Sequence, residues 1–223
     1  MHVPDGFLDS PTCVVTGAIA LAGVTHAVRS MRTERPDDDR VPMAALVATV
    51  VFAAQMVNVP IADGTSGHLV GGAVAAVLVG PATAVVCLSA VLAVQALFFA
   101  DGGVAALGTN VTLMALVGVL AGWVVFRAVV RVLPRSRAAV AIAAGIGAFA
   151  SVPVAAAVFA GLFALGGTAP VDVTDLFSAM IRWHVLIGAG EGLVTAAVIG
   201  AVVALRPDLV RGARQLQSAG AAG

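Results

Sequence analysis

The chain of 223 residues contains neither lysine nor tyrosine, and only 11% of its residues are charged. All 12 basic residues are arginines, which excludes a P-loop lysine, a Schiff-base lysine and the mechanisms that depend on either. The formal net charge is +0, so no basic field indicates nucleic acid as a partner. Two cysteines, Cys13 and Cys87, are too few for a thiolate metal site. Aromatic residues make up 5%, which leaves little surface for stacking a flat organic ligand.

Apolar residues are abundant instead: hydrophobic types make up 60% of the chain, and the mean hydropathy is +1.05. A soluble domain would carry about 25% charged residues. Apolar runs near the ~20 residues that cross a bilayer recur along the chain. The sequence therefore predicts an all-α integral membrane protein, a single polytopic domain over 1–223 with about seven transmembrane helices and no soluble catalytic domain.

Helix-breaking residues and segment lengths place the helices at about 10–28, 41–59, 68–79, 82–99, 104–127, 138–165 and 177–205. The third segment, HLVGGAVAAVLVG, is too short to span comfortably and follows the polar turn ADGTSGH. It is therefore predicted to be a partial helix that lines something other than lipid.

The arginines predict the orientation of these helices. With the N-terminus outside, they fall in the cytoplasmic loops and in a cytoplasmic C-terminal tail at 206–223, and only Arg182 is left outside. This bias follows the positive-inside rule. The N-terminal tail at 1–9 and the loop at 60–68 are then expected to face the outside.

Met1 and His2 carry three nitrogen donors within two residues. The amine of Met1, the peptide nitrogen of His2 and its ring Nδ1 can close a five-membered and a six-membered chelate ring around one ion. A planar nitrogen set suits Ni²⁺ or Cu²⁺, and a strong in-plane field can impose it on Co²⁺. This hypothesis requires that Met1 be retained with nothing before it. The alternative is that His2 is a polar residue in a frayed tail.

A second histidine, His68 in GTSGHLVGG, is predicted at the same outer face, where it begins the short third helix. Glycines before and after it allow tight turns and a close backbone approach. A hydrogen-bonded histidine at a helix start is the ordinary interpretation. Beside an outward Met1 and His2, however, a role as the fourth nitrogen ligand is favoured. Thr65 and Ser66 of the same segment are candidates to support or gate the site.

Four further polar residues lie near the predicted outer face. Gln55 and Asn58, in FAAQMVNVP, are expected to be buried and to orient a ligand ring or the tail, or else to join helices. Asp101 and Asn110, in ADGGVAALGTN, are predicted to cap or line the outer end of the fifth helix.

The last helix contains WHVLIGAGEGLVT, in which His184 and Glu191 are seven residues apart and therefore on one face. A glutamate within the membrane usually points into a bundle or cavity and has a partner. Glu191 either supports or gates the site or pairs with another helix. His184 is a further candidate for support or gating, or a neighbour of Trp183 in an aromatic belt.

The motifs MHVPDGFL, QMVNVPIADGTSGHLVGG, QALFFADGG, LGTN and HVLIGAGEGLVT together resemble the CbiM/NikM family. Its members are the substrate-capture (S) components of energy-coupling-factor (ECF) ABC transporters for cobalt and nickel in prokaryotic plasma membranes. The resemblance implies seven helices and a metal held by the Met1 amine, the backbone and ring nitrogens of His2, and the ring of His68. Ni²⁺ or Co²⁺ is then a transported substrate, for cobalamin synthesis or nickel enzymes, and no catalytic residue or cofactor is expected.

The resemblance also implies partners: a transmembrane coupling subunit, two cytoplasmic ATPase subunits that hydrolyse ATP, and often a small accessory membrane subunit. The chain is thus expected to be a transporter subunit in the lipid bilayer and not an enzyme. One alternative is a vitamin-capture component of the same transporter class. Another is an intramembrane metalloenzyme using His68, His184 and Glu191, although no HExxH pair is present. Four planar nitrogens fit nickel and cobalt alike.

Overall fold

A computed structural model describes residues 2–33, 40–62 and 65–213. Seven helices follow one another in this part of the chain, with a β-hairpin between the second and the third, and two 3₁₀ turns, Pro207–Leu209 and Arg211–Ala213, come after the last. The segments are α1 (Ser10–Thr33), α2 (Arg40–Gln55), β1 (Val59–Ala62), β2 (Thr65–Gly67), α3 (Gly72–Val79), α4 (Pro81–Phe98), α5 (Leu107–Val132), α6 (Arg137–Gly166) and α7 (Val173–Leu205). Within the described ranges, α1, α4, α5, α6 and α7 are long and apolar enough to cross a membrane. The predicted helical membrane architecture is confirmed, while the number of crossings stays a prediction.

The short helix α3 lies at the centre of the bundle. Its eight residues extend about 12 Å at the usual rise per residue, which is too short to span a bilayer. It packs against α2, α4, α5, α6 and α7, and nearly all of its side chains are buried. The structure therefore matches the predicted partial helix, although its first residue differs.

The prediction that His68 begins α3 is wrong, because the helix starts four residues later, at Gly72. Gly71 precedes it with φ +76°, a left-handed conformation that interrupts any helix coming from the N-terminal side. His68 therefore lies in a non-helical segment between β2 and α3. This segment is free to follow a path that a helix could not take.

Other predicted boundaries also differ. The helix expected over 10–28 continues to Thr33, and the helix expected over 104–127 runs from Leu107 to Val132. The helix expected over 41–59 ends at Gln55, because the chain turns into β1 at Val59. The last helix begins at Val173 and not at 177, because the Asp172 side chain accepts hydrogen bonds from the first free backbone N–H groups. Asp172 thus adds one turn that hydropathy alone does not indicate.

The tertiary contacts of α5 are polar as well as apolar. After a first α-helical turn at Leu107–Asn110, residues Val111–Gly118 form a π-helix, a geometry that is frequent at functional sites. The hydroxyls of Thr16 and Thr109 are 2.7 Å apart, and Thr112 donates to the Thr16 carbonyl at 2.8 Å. These bonds fix the start of α5 against α1.

Small residues bring α6 and α7 together. A Cβ added to Gly145 would lie 2.8 Å from the carbonyl oxygen of Gly192, and the reverse substitution would meet the Gly145 carbonyl at the same distance. Such close backbone approach is typical of helix packing in membranes. It holds α7, which carries His184 and Glu191, in a fixed position beside α6.

Candidate metal centre

The described part of the N-terminal tail, residues 2–9, folds back onto the bundle. The backbone of Val3 is bound at both of its polar groups by one side chain, that of Asn110 in α5. The Val3 N–H donates to Asn110 Oδ1 at 2.7 Å, and Asn110 Nδ2 donates to the Val3 carbonyl at 3.1 Å. The Gly103 N–H also donates to that carbonyl, at 2.9 Å. The tail therefore has a defined register against α5.

A second anchor is Asp5, whose carboxylate lies at the N-terminus of α5. Its two oxygens accept hydrogen bonds of 2.8–3.2 Å from the backbone N–H groups of Val104, Ala105 and Ala106. A carboxylate satisfies the free N–H groups of a helix start and interacts well with its dipole. Asp5 therefore caps this end of α5, and Asn110, which was predicted to cap or line it, lines it by binding Val3.

The rest of the tail is fastened to the connection between α6 and α7. The Thr168 hydroxyl donates to the Gly6 carbonyl at 2.7 Å, and the Thr168 N–H donates to the Phe7 carbonyl at 3.1 Å. The Asp9 N–H donates to the Gly166 carbonyl at 2.7 Å. In each of these bonds the tail contributes a backbone N–H or C=O group. The bonds therefore fix the path of the tail as far as α1.

The side chain of Phe7 is the main apolar anchor of the tail. Its ring is buried and lies with centroid distances of 5.9 Å to Phe159 and 5.1 Å to Phe163, both in α6. Aromatic pairs at such distances add to the stabilisation that comes from burial. The prediction of a frayed tail is therefore wrong for residues 2–9.

Two adjacent glycines make room for the tail. At Gly102, where φ is +92°, an added Cβ would lie 2.9 Å from both His2 Nδ1 and Asn110 Nδ2. At Gly103 an added Cβ would collide with the backbone nitrogen and carboxylate of Asp5. The ADGG segment is thus shaped around the tail.

The ring of His2 lies inside the bundle, and its Nδ1–H donates to the carbonyl of Asp101 at 3.0 Å. The Nε2 atom is buried and has no hydrogen-bond partner among the described residues. Burial lowers the pKa of His2 to about 4, and Asp101 offsets only part of this effect. The ring is therefore neutral near pH 7 and has a lone pair available for a metal. Chelation through Nδ1 requires that the ring exchange its hydrogen bond to Asp101 for the ion.

His68 faces His2, with 4.5 Å between the two ring centroids. Its Nδ1–H donates to the carbonyl of Leu69 at 2.9 Å, which leaves the lone pair on Nε2. That atom is buried and also has no partner in the described chain. Burial lowers the pKa of His68 well below its usual value of 6.5. A histidine whose other nitrogen donates to a backbone carbonyl is the usual arrangement of a metal ligand.

The segment after His68 is held from two sides. Glu191 of α7 accepts the Val70 N–H at 2.6 Å and the Gly71 N–H at 2.9 Å, and Gln55 of α2 donates to the Val70 carbonyl at 2.7 Å. All of these groups are buried. Gln55 and Glu191 thus position the segment that carries His68, which is the supporting geometry expected for them.

His184 lies on the same face of α7 as Glu191 and is completely buried. Its Nδ1–H donates to the Met180 carbonyl at 2.8 Å, and its Nε2 has no partner in the part of the chain described here. The position is inside the bundle and not in an aromatic belt beside Trp183. His184 therefore presents the same free lone pair as His68.

The remaining predicted site residues have mixed outcomes. Asn58 is exposed and donates to the Asp101 carboxylate at 3.3 Å; its predicted burial is wrong because α2 ends at Gln55. Met1 lies outside the described residues, and so do the side chains of Thr65 and Ser66. Sequence reasoning missed Gln95 of α4, which is fully buried with Oε1 unpartnered within the described chain. The only signal was an amide in an apolar helix.

No group of three or more His, Cys, Asp or Glu side chains in the described ranges is arranged to hold a metal ion. The arrangement supplies two neutral imidazoles that face each other. The backbone nitrogens of Met1 and His2 are near the His2 ring because they belong to the same residue or to the one before it. Such a donor set is rich in nitrogen, which suits nickel or cobalt and not magnesium or calcium.

Comparison with known proteins agrees with this chemistry. The family model described as cobalt uptake substrate-specific transmembrane region (CbiM) matches residues 2–209. The cobalt transport protein CbiM of Sorangium cellulosum is 32% identical over 94% of this chain and 94% of its own length. The fused nickel transport protein NikMN of Rhodobacter capsulatus is 34% identical over 94% of this chain and 64% of its own length.

Solved structures share the fold. A truncated transition metal transporter superposes with a TM-score of 0.85 at 29% identity, over 91% of this chain and 98% of that one. A second transition metal transporter superposes with a TM-score of 0.83 at 30% identity, over 91% of this chain and 92% of that one.

Proposed function

The chain belongs to the CbiM family of cobalt and nickel transport proteins, and we propose that it captures bare Ni²⁺ or Co²⁺ as the substrate-binding component of an ECF-type ABC transporter. It is a multi-pass membrane protein and a transporter subunit, so both alternatives considered from the sequence, a vitamin-capture component and a metalloenzyme, are wrong.

One observation carries this proposal: the tail seats the His2 ring 4.5 Å from the ring of His68, whose buried Nε2 has no partner among the described residues. A buried imidazole nitrogen without a hydrogen-bond partner is costly in a folded protein. A ligand that accepts the lone pair of His68 Nε2 removes that cost. A divalent transition-metal ion is such a ligand.

The proposed ligands are the amine of Met1, the peptide nitrogen and ring Nδ1 of His2, and Nε2 of His68. The first three belong to adjacent residues and close two chelate rings, while His68 completes a plane of four nitrogens. Because the amine and the peptide nitrogen must lose protons to bind, capture releases protons and is favoured as the pH rises. Asp101 then supplies negative charge beside the cation, since its carboxylate lies 3.8 Å from His2 Nδ1.

The proposed direction of capture is from the outside. In the described chain the tail lies at the end of the bundle where α1 begins, and Arg131 and Arg211 lie towards the opposite end. Positive residues favour the cytoplasmic side, which supports an external tail. Release to the cytoplasm then requires a transmembrane coupling subunit and two ATPase subunits, because this chain has no lysine for a P-loop. A small accessory membrane subunit is a further proposed partner.

The test is metal analysis of protein that begins at Met1, purified through a tag placed after Gly223. Cells are grown with both ions, and bound nickel and cobalt are measured by mass spectrometry. We expect a stoichiometric amount of one ion, and almost none when a single residue precedes Met1 or is inserted before His2. The matched control carries the same residue after Gly223 and should keep the metal. Stoichiometric metal in a chain with an extended N-terminus would refute the proposed site.

A further inference from the structure

We propose that Asn110 is a positioning residue for the metal: by hydrogen bonding to the backbone of Val3, it fixes the positions of the nitrogens of Met1 and His2. The inference rests on the proposed function, because it assigns Asn110 to the same site. No side-chain nitrogen or oxygen of Asn110 needs to touch the ion for this role.

The geometry of the contact is that of a strand pairing. Asn110 accepts from the Val3 N–H at 2.7 Å and donates to the Val3 carbonyl at 3.1 Å. Two bonds to the N–H and C=O of one residue fix its rotation as well as its position. Because both bonds use the backbone, they define the register of the tail whatever side chain stands at position 3. The peptide nitrogen of His2 lies one residue before Val3, and the amine of Met1 lies two residues before it.

Asn110 is itself held rigidly. Its side chain is 1% exposed, and it is the last residue before the π-helix of α5. The residues beside it, Thr109 and Thr112, are bonded to Thr16 of α1. The hydrogen bonds between Asn110 and Val3 are therefore fixed relative to the two membrane helices α1 and α5.

The side chain of Asn110 is also close to His2 Nδ1, one of the proposed ligand atoms. A Cβ added to Gly102 would lie 2.9 Å from Asn110 Nδ2 and 2.9 Å from His2 Nδ1, so the two nitrogens flank the same point. The Gly103 N–H also bonds to the Val3 carbonyl, and the Asp101 carbonyl accepts from the His2 ring, but neither contact involves the Val3 N–H. The anchors at Asp5 and beyond bind farther along the chain and leave the backbone between them and His2 free to rotate. Asn110 is thus the side chain that fixes both polar groups of Val3 and, with them, the direction of the first two residues.

The test compares full-length proteins that begin at Met1: wild type, Asn110→Ala, Asn110→Leu and Asp172→Ala. Asp172→Ala is the matched control, because it also loses two hydrogen bonds between a side chain and backbone groups but lies outside the tail. For each protein the affinity for Ni²⁺ is measured by titration, the visible ligand-field spectrum is recorded with nickel bound, and the thermal midpoint is measured without metal. The leucine variant keeps the branched shape of Asn110 and its number of side-chain heavy atoms, so it separates lost hydrogen bonds from a cavity.

We expect both Asn110 variants to bind Ni²⁺ about 10- to 100-fold more weakly and to shift the ligand-field spectrum. Asp172→Ala should lower the thermal midpoint but keep the wild-type affinity and spectrum. Wild-type affinity and spectrum in the Asn110 variants would overturn the inference, and so would an equal loss in Asp172→Ala. If both Asn110 variants fail to fold, Val3→Pro carries the test, because it removes the N–H that donates to Asn110 and lies outside every helix. A wild type that binds neither nickel nor cobalt would instead overturn the proposed function.

Discussion

Replacing Glu191 with alanine should weaken metal binding by releasing the segment that carries His68. The Glu191 carboxylate is the acceptor for the Val70 and Gly71 N–H groups, at 2.6 and 2.9 Å. Val70 is 0% exposed, so water cannot replace the carboxylate there without rearrangement. Each orphaned buried donor costs about 1–3 kcal/mol, so the two together cost about 2–6 kcal/mol. In the variant we expect the segment with Val70 and Gly71 to shift, which reduces the free-energy cost of the unpaired N–H groups. The shift also displaces His68.

The assay measures the thermal midpoint without metal and the affinity for Ni²⁺. We expect Glu191→Ala to lower the midpoint and to weaken binding by at least about tenfold, as is usual when a residue that supports a ligand is lost. Thr195→Ala is the matched control, because Thr195 is a buried polar residue one turn farther along the same face of α7. A Glu191→Ala protein with wild-type stability and affinity would refute the positioning role.

Three further predictions concern the tail. Gly102→Ala should abolish tight Ni²⁺ binding in titrations, because its Cβ would lie 2.9 Å from His2 Nδ1. The control is Gly6→Ala, which has no atom within 4 Å of its added Cβ and should lose only about 1–2 kcal/mol of stability because of its positive φ. Equal losses of Ni²⁺ binding in the two variants would contradict the clash at Gly102. Phe7→Ala removes a buried ring and should cost about 3–5 kcal/mol of tail docking, seen as faster hydrogen exchange of residues 2–9, and unchanged exchange would contradict it. Burial lowers the pKa of His2 from 6.5 to about 4, so the undocked tail takes up a proton that the docked tail excludes. Docking in the metal-free protein should therefore weaken by up to about 3 kcal/mol as the pH falls from 6.5 to 4, while constant exchange rates over this window would contradict it.

The membrane architecture could be predicted because it depends on composition and segment length. Hydropathy located the helices, and the shortness of the HLVGGAVAAVLVG segment indicated a partial helix. The errors lie at the ends of helices, where single contacts decide. The start of α3 at Gly72 depends on the left-handed backbone of Gly71, and the start of α7 depends on the Asp172 cap. Neither effect changes the average hydropathy of a segment.

The contacts that build the site were predicted unevenly. Gln55 and Glu191 were recognisable because polar groups in an apolar helix need partners. Their partners were not, because both bind the backbone of Val70 and not another side chain. Asp5 was overlooked for the same reason, since its carboxylate binds the backbone at the start of α5. Sequence patterns record side chains, whereas these bonds join a side chain to main-chain atoms that every residue carries.

The sequence by itself determined the class of the protein and the chemistry of its donors. A chain with 60% hydrophobic residues and no lysine must be read as membrane helices, and the adjacent nitrogens of Met1 and His2 are set by covalent order. Only the tertiary structure decided that the tail docks at Asn110, that the ring of His2 meets the ring of His68, and that both keep a free lone pair. The physical reason is that docking depends on contacts between residues about 60 to 160 positions apart, which burial and hydrogen bonding select only after the helices have packed.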